Sequence, residues 1–388
     1  MNEIFEFGIS TRILLGPGAI QQTNSLLKTL NAHKILVITD PAIDKIGVTE
    51  RVTEVFRDEF QFTVFKDVEA NPSIETVEKA TTFCREQLCD VLLAIGGGSA
   101  IDTSKSVALL MTNPGPLTNY GGINQFSKQP LPSIAIPTTA GSGSEVSQGV
   151  VLKNNIQNFK FVIKGQGLAP RYAILDPNML ASLPSAIAAT TGIDALTHAI
   201  EAFVSRNANI FSDALALQAI KLIGQNIRLF AFNPSNIQQA MSMQVGSILS
   251  NVAVDHARAG AVHAMAHPLG GHYDLPHGLA CAILLPYIME YNCSANLDKF
   301  SLIAWVLGEN TSVLTLRESA LRSVQVIKDL LYDLGIPTTL RNTSAKEEGI
   351  SIMAEDALKT GGTVFNPRQT TLDDIVELYR RAFNGDLR

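Results

Sequence analysis

The feature that most constrains the fold is an apolar, strand-like run that leads directly into three glycines. Residues 91–95 are uninterrupted apolar residues, followed by Gly96-Gly97-Gly98 and then by a helical stretch from Ile101. Residues 34–40 and 132–137 are similar runs that end in an aspartate or a proline. Strands that alternate with helical segments in this way predict a parallel sheet covered by helices on both faces.

The second half of the chain has a different pattern, with long stretches of helical periodicity, few helix breakers and no convincing strand. We therefore expect two domains, an α/β domain at residues 1–183 and an all-α domain at residues 184–388. Residues 269–278 are rich in glycine and are expected to form a functional loop between helices. The predicted helices of the second half are 186–204, 213–230, 237–254, about 316–334 and about 371–383.

Composition indicates a globular protein with a large core. Of 388 residues, 46% are hydrophobic and 17% are charged, and the formal net charge is −6. This charge gives no electrostatic reason to bind nucleic acid or an anionic membrane surface. No apolar run is long enough to span a bilayer, and the first residues carry acids where a signal peptide carries bases.

The cysteines indicate the compartment. Their number and spacing fit neither a disulfide framework nor a thiolate metal site, so we expect small core residues in a reduced, cytoplasmic protein. The four cysteines are Cys84, Cys89, Cys281 and Cys293.

Two glycine-rich segments predict a dinucleotide site. Residues 96–102 lie where a strand ends and a helix begins, so free N–H groups and the helix dipole favour a phosphate there. Glycine also lets the backbone approach a pyrophosphate closely. Residues 137–145 follow another strand and carry hydroxyls suited to phosphate and ribose. For the first segment, a tight turn without a ligand is the alternative.

Asp40 ends the first apolar run. An acid at a strand end can bind the adenosine ribose hydroxyls and repel a 2′-phosphate, which would favour NAD over NADP. A helix cap or a solvated acid before Pro41 is the alternative interpretation of the same residue.

The histidines are strongly clustered. Six of the seven lie between positions 198 and 277, and five of these lie within the 22 residues from 256 to 277. Asp194 and His198 are four residues apart on a predicted helix, as are His263 and His267, and His277 follows on a loop. One carboxylate with three imidazoles suits Fe²⁺ or Zn²⁺ rather than Mg²⁺ or Ca²⁺. For the first pair alone, the alternative is a surface ion pair.

These residues resemble the iron-containing (group III) alcohol dehydrogenases along essentially the whole chain. The resemblance implies an N-terminal Rossmann-like α/β domain followed by an all-α C-terminal domain, the dehydroquinate synthase-like fold, with the active site in the cleft between them. Its most specific part is the histidine segment, 262–278. The matching segments are residues 15–18, 96–102, 137–145, 192–201, 260–286 and 366–368.

The resemblance also implies roles for individual residues. It makes His267 a histidine that is not a ligand and that helps to move the alcohol proton, and it implies homodimers, sometimes stacked into larger assemblies. It places the metal ligands on Asp194, His198, His263 and His277. It points to NAD-binding residues at Asp40, Asn71, Gly97, Gly98, Ser99, Asp102, Thr138, Thr139, Ser147 and Lys160.

One segment departs from the family pattern. Residues 254–258 stand where the family often has a Phe-Asn-Asn-like stretch, so Asp255 and His256 add polar groups beside the histidine segment. A capped or solvated helix turn is the favoured interpretation of both residues, and a modified substrate pocket is the alternative. His272 has no clear counterpart and is expected to line the pocket.

The expected reaction is hydride transfer between NAD and a small primary alcohol or aldehyde, with the divalent metal as a Lewis acid. The substrate stays open among 1,3-propanediol, lactaldehyde or propanediol, ethanol, and small anionic aldehydes such as sulfoacetaldehyde, and iron stays open against zinc. Alternatives are a related glycerol-phosphate dehydrogenase or dehydroquinate-synthase-like lyase, a His/Asp metal phosphohydrolase, and a non-catalytic paralogue. The glycerol-phosphate dehydrogenase and the lyase act on acidic substrates, so they would need more basic residues in the cleft than Lys160 and Arg258.

Overall fold

The computed structural model describes residues 5–156 and 159–387. Their strands are β1 (Arg12–Leu15), β2 (Lys34–Ile38), β3 (Gln61–Phe65), β4 (Val91–Gly96), β5 (Gly122–Ile123), β6 (Ser133–Pro137), β7 (Gly149–Asn154), β8 (Phe159–Lys164) and β9 (Tyr172–Leu175). Six of them form one sheet in the order β1-β9-β6-β4-β2-β3, and three form a smaller sheet in the order β5-β8-β7.

The six-stranded sheet is parallel throughout, as predicted. All six residues of β4 are buried. Leu93 and Ile95 face one apolar cluster, and Leu92, on the other face, belongs to a second. Burial on both faces explains why this strand is a continuous apolar run. Because the strands are parallel, the segments that follow β2, β4 and β6 meet at one edge of the sheet.

The smaller sheet contains an antiparallel pair, β7 and β8, with Lys153 opposite Lys160. The expectation of parallel pairing is therefore right for the large sheet and wrong for this pair. Val150 and Ile163 on one face pack into the second apolar cluster, whereas several other side chains of the pair are polar and partly exposed. Such one-sided burial is typical of antiparallel strands.

The described helices are α1 (Thr23–Thr29), α2 (Pro41–Lys45), α3 (Val48–Thr53), α4 (Ile74–Glu86), α5 (Gly98–Thr112), α6 (Ser185–Val204), α7 (Ile210–Phe232), α8 (Ile237–Ala257), α9 (Ala261–Tyr273), α10 (His277–Cys293), α11 (Leu297–Val306), α12 (Leu316–Asp333), α13 (Ile350–Lys359) and α14 (Leu372–Asn384). The five helices predicted for the second half are present as α6, α7, α8, α12 and α14, and no strand follows Leu175 among the described residues. None of the described helices is both long and apolar enough to cross a membrane.

The prediction of a loop at residues 269–278 is wrong. Helix α9 continues through Gly270 and Gly271 to Tyr273, Asp274 ends it with a φ of 52°, and α10 begins at His277. Both glycines are buried. Gly270 provides room for a neighbouring side chain rather than a turn, because a Cβ at this position would lie 2.7 Å from a side-chain carbon of Lys160 on β8.

One apolar cluster joins the sheet to the helices. It includes Leu93 and Ile136 from the large sheet together with Ile193 of α6 and Leu284 of α10. The helices that carry the histidines are therefore packed directly against the part of the chain that carries the glycine-rich segments.

Candidate active site

Two glycine-rich segments meet at the edge of the large sheet. Gly96 has a φ of 152°, and α5 starts two residues later without a side-chain cap among the described residues. A Cβ on Gly98 would lie 2.8 Å from Oγ of Ser142, and a Cβ on Gly97 would lie 3.4 Å from Thr139. The segment after β4 therefore packs against the segment after β6, and at Gly98 there is no room for a larger residue. The first N–H groups of α5 are available to bind a phosphate.

Asp40 lies at the same edge and has two different environments for its oxygens. Oδ1 accepts hydrogen bonds from the N–H groups of Ala42 and Ile43, both at 2.9 Å, and so caps α2. Oδ2 lies 3.4 Å from the position of a Cβ on Gly96. The cap interpretation thus describes one oxygen, while the other faces the glycine-rich edge, where the adenosine ribose is expected.

Asp102 is held by the protein itself. Its carboxylate accepts hydrogen bonds from the hydroxyl of Ser144 and, at 2.9 Å, from the N–H of Val151, and it pairs at 3.0 Å with the Lys105 ammonium. The buried ammonium also donates to the carbonyls of Ser144, at 3.0 Å, and Gly149, at 2.5 Å. These contacts fix the segment between β6 and β7 against α5. A direct contact between Asp102 and a cofactor stays a prediction.

The other predicted cofactor residues lie at or near this edge. Thr138 is buried and donates its N–H to the carbonyl of Gly96 at 3.0 Å, whereas Ser99 is half-buried in the first turn of α5. Asn71 has a φ of 56° and precedes Pro72, whose carbonyl accepts the N–H of Lys153 on β7 at 2.8 Å. The Ser147 hydroxyl accepts the N–H of Gly149 at 3.0 Å.

Glu145 is a buried acid in the second glycine-rich segment and is 3% exposed. Burial raises the pKa of its carboxyl to about 7, an effect that the nearby Lys105 charge only partly offsets. The folded protein therefore binds a proton here that the unfolded chain, with a carboxyl pKa of 4.5, releases at lower pH.

Replacement of Glu145 by glutamine should flatten the pH dependence of stability. Because the folded-state pKa is the higher one, the contribution of Glu145 to the free energy of unfolding is fully present below pH 4.5. This contribution is lost as the pH rises to about 7. The shift corresponds to at most about 3 kcal/mol. Urea unfolding between pH 5 and 7.5 should show a smaller decline for Glu145→Gln than for the wild type. Glu86→Gln, at an exposed position, should follow the wild type, and identical slopes for all three proteins would contradict the assignment.

Three helices present the candidate metal-binding side chains. Asp194 and His198 project from α6. His263 lies near the start of α9, and His277 is the first residue of α10 rather than a loop residue. Cys281 follows His277 by one turn on the same helix, a residue that the sequence analysis had placed only in the core.

The ligand atoms of four residues converge. One oxygen of Asp194, one nitrogen each of His263 and His277, and the sulfur of Cys281 all lie within 4.8 Å of one another. Oδ1 of Asp194 is 3.6 Å from Nε2 of His263 and 3.7 Å from Nε2 of His277. His198 is not part of this group, but its ring stacks on that of His263 with centroids 4.2 Å apart.

The cluster contains buried polar atoms without partners, which is unusual in folded proteins. They lie on three helices that face one another, and none has a hydrogen-bond partner among the described residues. A divalent cation between Oδ1 of Asp194 and Nε2 of His263, which are 3.6 Å apart, would satisfy both of these atoms, so the residues fit a metal ion. The atoms are Oδ1 of Asp194, Nδ1 of His198, Nε2 of His263, Nδ1 of His267 and Nδ1 of His277.

Charge distribution supports the same conclusion. Burial lowers the pKa of His198 to about 4 and that of His277 to about 3, so both imidazoles are neutral and can act as metal ligands. Burial acts in the same direction on His263, but the carboxylates of Glu201 and Asp194 outweigh it and raise its pKa to about 10. The carboxylates therefore favour positive charge at this point, and a divalent cation would supply it.

Glu201 orients His263, a role that was not among the sequence predictions. Its carboxylate accepts from Nδ1 of His263 and from the N–H of Val262, each at 2.6 Å, and so directs Nε2 toward Asp194. Carboxylates that hold the second nitrogen of a ligating histidine are common at metal sites. The available signal was spacing, because Glu201 lies seven residues after Asp194 and thus on the same face of α6.

His267 and Lys160 lie beside the cluster. The His267 ring is 5.5 Å from that of His277, and burial holds its pKa well below the usual range, so it is neutral. Lys160 comes from β8 and lies over Gly270 of α9. Burial lowers the pKa of its ammonium to about 8. This lysine is the point at which the smaller sheet reaches the helices that carry the histidines.

The residues of the unusual segment 254–258 are used in packing. Asp255 pairs with Lys164 at 2.8 Å and accepts the N–H of Gln148 at 3.0 Å, so it links α8 to the smaller sheet. His256 packs on Phe7, with ring centroids 4.5 Å apart. Both side chains therefore make an ion pair or a packing contact with other segments, rather than the capped or solvated helix turn that was the favoured interpretation.

His272 does not simply line a pocket as expected. Its Nε2 contacts the carboxylate of Asp356 at 2.8 Å, which links α9 to α13.

Comparison with known proteins gives matches along nearly the whole chain. The family model of iron-containing alcohol dehydrogenase matches residues 10–177, and that of the C-terminal part of the Fe-containing alcohol dehydrogenase family matches residues 188–383. A 1,3-propanediol dehydrogenase of Klebsiella pneumoniae is 38% identical over 383 residues, which make up 98% of this chain and 99% of that protein.

Solved structures share the fold. A crystal structure of 1,3-propanediol oxidoreductase has a TM-score of 0.95 at 38% identity, and the match covers 98% of this chain and 100% of that one. The sulfoacetaldehyde reductase of Bifidobacterium kashiwanohense, solved in complex with NAD+, has a TM-score of 0.88 at 27% identity over 99% of this chain and 100% of that one. With its parallel sheet, its helical second half and its Asp/His cluster, the chain belongs to the iron-containing alcohol dehydrogenase family and is an oxidoreductase of that family.

Proposed function

We propose that this alcohol dehydrogenase uses NAD and one divalent metal ion to transfer hydride between the nicotinamide and a small primary alcohol or aldehyde. The observation that carries the proposal is the position of Lys160. This residue lies on β8, in the first half of the chain, and its side chain contacts Gly270 of α9, beside the Asp/His cluster. A cofactor held by its phosphates at the sheet edge would have its reactive end directed toward that cluster.

Each group of the site has a defined task in this proposal. The metal, when bound, supplies Lewis-acid stabilisation of negative charge on the substrate oxygen. Glu201 fixes the orientation of His263 through the 2.6 Å contact to Nδ1. His267, neutral and adjacent to His277, accepts the alcohol proton or returns it. The metal ligands in this proposal are Asp194, His198, His263 and His277.

The substrate class is proposed from the names of the relatives. The relatives include proteins named 1,3-propanediol dehydrogenase and sulfoacetaldehyde reductase, so we assign a short aldehyde or its alcohol. An NADH-oxidation screen over short neutral and anionic aldehydes, with Fe²⁺ or Zn²⁺ added to metal-free protein, tests this assignment. Metal-dependent NADH oxidation is expected. Phosphate-ester hydrolysis without NADH binding would instead identify a phosphohydrolase.

The proposal extends to organisation and location. We place an α/β domain at residues 1–183 and a helical domain at 184–388, because α6 begins shortly after the last described strand. A homodimer is supported by β1, an edge strand with Ile13 and Leu15 about 40% exposed. The four buried, unpaired cysteines support a reducing, cytoplasmic location. Light scattering of the purified protein tests the dimer.

Removal of the Asp40 charge should weaken the preference for NADH over NADPH. Asp40→Asn retains an oxygen that can cap α2 but loses the charge that would repel a 2′-phosphate, whereas Asp40→Gly loses both the charge and the ribose hydrogen bonds. Relief of about 1.4 kcal/mol of repulsion would change the ratio of kcat/KM values for the two cofactors by about tenfold.

The comparison of the two variants separates the cap from the charge. Equal changes in Asp40→Asn and Asp40→Gly would assign the effect to the charge. A wild type that already uses NADPH as well as NADH would remove the proposed role of Asp40.

A further inference from the structure

We propose that the sulfur of Cys281 is a ligand of the metal ion, in addition to the carboxylate and imidazoles already assigned. The inference rests on the proposed metal site and names a further donor in it. It concerns a residue that the chain places one helical turn after His277 on α10.

Distances between the donor atoms support this assignment. Sγ of Cys281 is 3.7 Å from Nε2 of His277, which is itself 3.7 Å from Oδ1 of Asp194. With His198 the site would have five donors. At the tetrahedral to five-coordinate angles that zinc adopts, bonds of about 2.0–2.1 Å to nitrogen or oxygen and about 2.3 Å to sulfur place neighbouring donors roughly 3–3.6 Å apart. Without an ion this contact is a hydrogen bond, and its length is close to the separation that two ligands of one ion would have.

A second observation independently indicates a ligand at this point. Asp194 and His263 are 5% and 6% exposed, yet Oδ1 of the aspartate and Nε2 of the histidine have no hydrogen-bond partner among the described residues. Asp194 and His263 belong, with His277 and Cys281, to a group whose ligand atoms, one from each residue, all lie within 4.8 Å of one another. Atoms from three helices thus surround one point, and the thiol is among them.

The chemistry of binding is a simple exchange. The Cys281 S–H bond is broken, its proton passes to water, and a sulfur lone pair binds the divalent ion, so no oxidant or reductant is needed. With the Asp194 carboxylate, the thiolate would balance the two charges of the ion inside a buried site. Thiolate is a soft donor, and such donors favour Zn²⁺ over Fe²⁺. The chain's own cysteine would therefore bias the choice of metal.

Cobalt is the probe for the test, because Co²⁺ bound to a thiolate gives a sulfur-to-metal charge-transfer absorption in the near ultraviolet. Metal-free wild type, Cys281→Ser and Cys293→Ser are each titrated with Co²⁺, and bound metal is measured after gel filtration. Cys293 is the matched control, since it is buried on the same helix but lies outside the group of four. Thermal unfolding of each protein verifies that the variants are folded.

The charge-transfer band should appear in wild type and in Cys293→Ser and be absent from Cys281→Ser, which still binds Co²⁺ through its other ligands. Competition with a chelator should show the ratio of Zn²⁺ to Fe²⁺ affinity falling at least about tenfold in Cys281→Ser alone. Stoichiometric Co²⁺ in wild type without the band would overturn the Cys281 assignment and leave the proposed metal site standing. Failure of folded wild type to bind Co²⁺, Zn²⁺ or Fe²⁺ would overturn both.

Discussion

His263→Ala and His277→Ala should each lose their bound metal together with their turnover. Purified wild type is expected to hold about one Fe²⁺ or Zn²⁺ per chain. Both imidazoles face Oδ1 of Asp194, at 3.6 and 3.7 Å, so either change removes a donor from the centre of the cluster. Lewis-acid assistance is worth several kcal/mol, and its loss should lower kcat/KM by roughly 10³-fold or more. Elemental analysis of the dialysed proteins and NADH-oxidation assays measure the two effects.

His272→Ala is the matched control for these variants. This histidine lies on α9 like His263, but it contacts Asp356 and lies outside the group of four. It should retain metal and turnover, with at most a modest loss of stability. Full metal occupancy in both His263→Ala and His277→Ala would remove these residues from the ligand set.

His267→Ala should retain its metal and bind NADH normally, while turnover falls by roughly 10²–10⁴-fold, the usual value of general acid–base catalysis. The neutral ring lies 5.5 Å from that of His277 and is outside the group of four. The loss is expected in kcat rather than in KM, because substrate binding depends on the metal and the pocket walls.

Metal content separates the possible roles of His267. A metal-free variant would make the histidine a ligand and one of the assigned four a mistake. A variant with both metal and full rate would make it structural, and the proton would then leave through water or a ribose hydroxyl. His256→Ala is the control. It removes a ring that packs on Phe7, and its turnover should equal that of the wild type.

The spacing of residues along the chain predicted that Asp194, His263 and His277 lie together, but it did not predict the connections between the parts of the site. Asp194 with His198 and His263 with His267 are pairs that helical spacing alone reveals, because residues four apart share a face. The run of glycines after β4 could be identified from the sequence. Glycine is required there because the turn packs closely against another segment and leaves little room for side chains. The loop prediction for residues 269–278 failed because Gly270 is needed for close packing against Lys160, which lies 110 positions earlier in the chain. The periodicity of the sequence does not indicate such a long-range contact.

By itself, the sequence determined the α/β first half, the helical second half and Asp194, His263 and His277 as candidate ligands, since apolar runs and helical spacing are local signals. Only the tertiary structure decided which groups complete that cluster. Glu201 reaches His263 from another helix, Cys281 joins Asp194 across 87 positions, and Asp102 is committed to Ser144 and Lys105. Such contacts depend on how helices and sheets pack, and packing brings together residues whose separation along the chain carries no information about their distance in space.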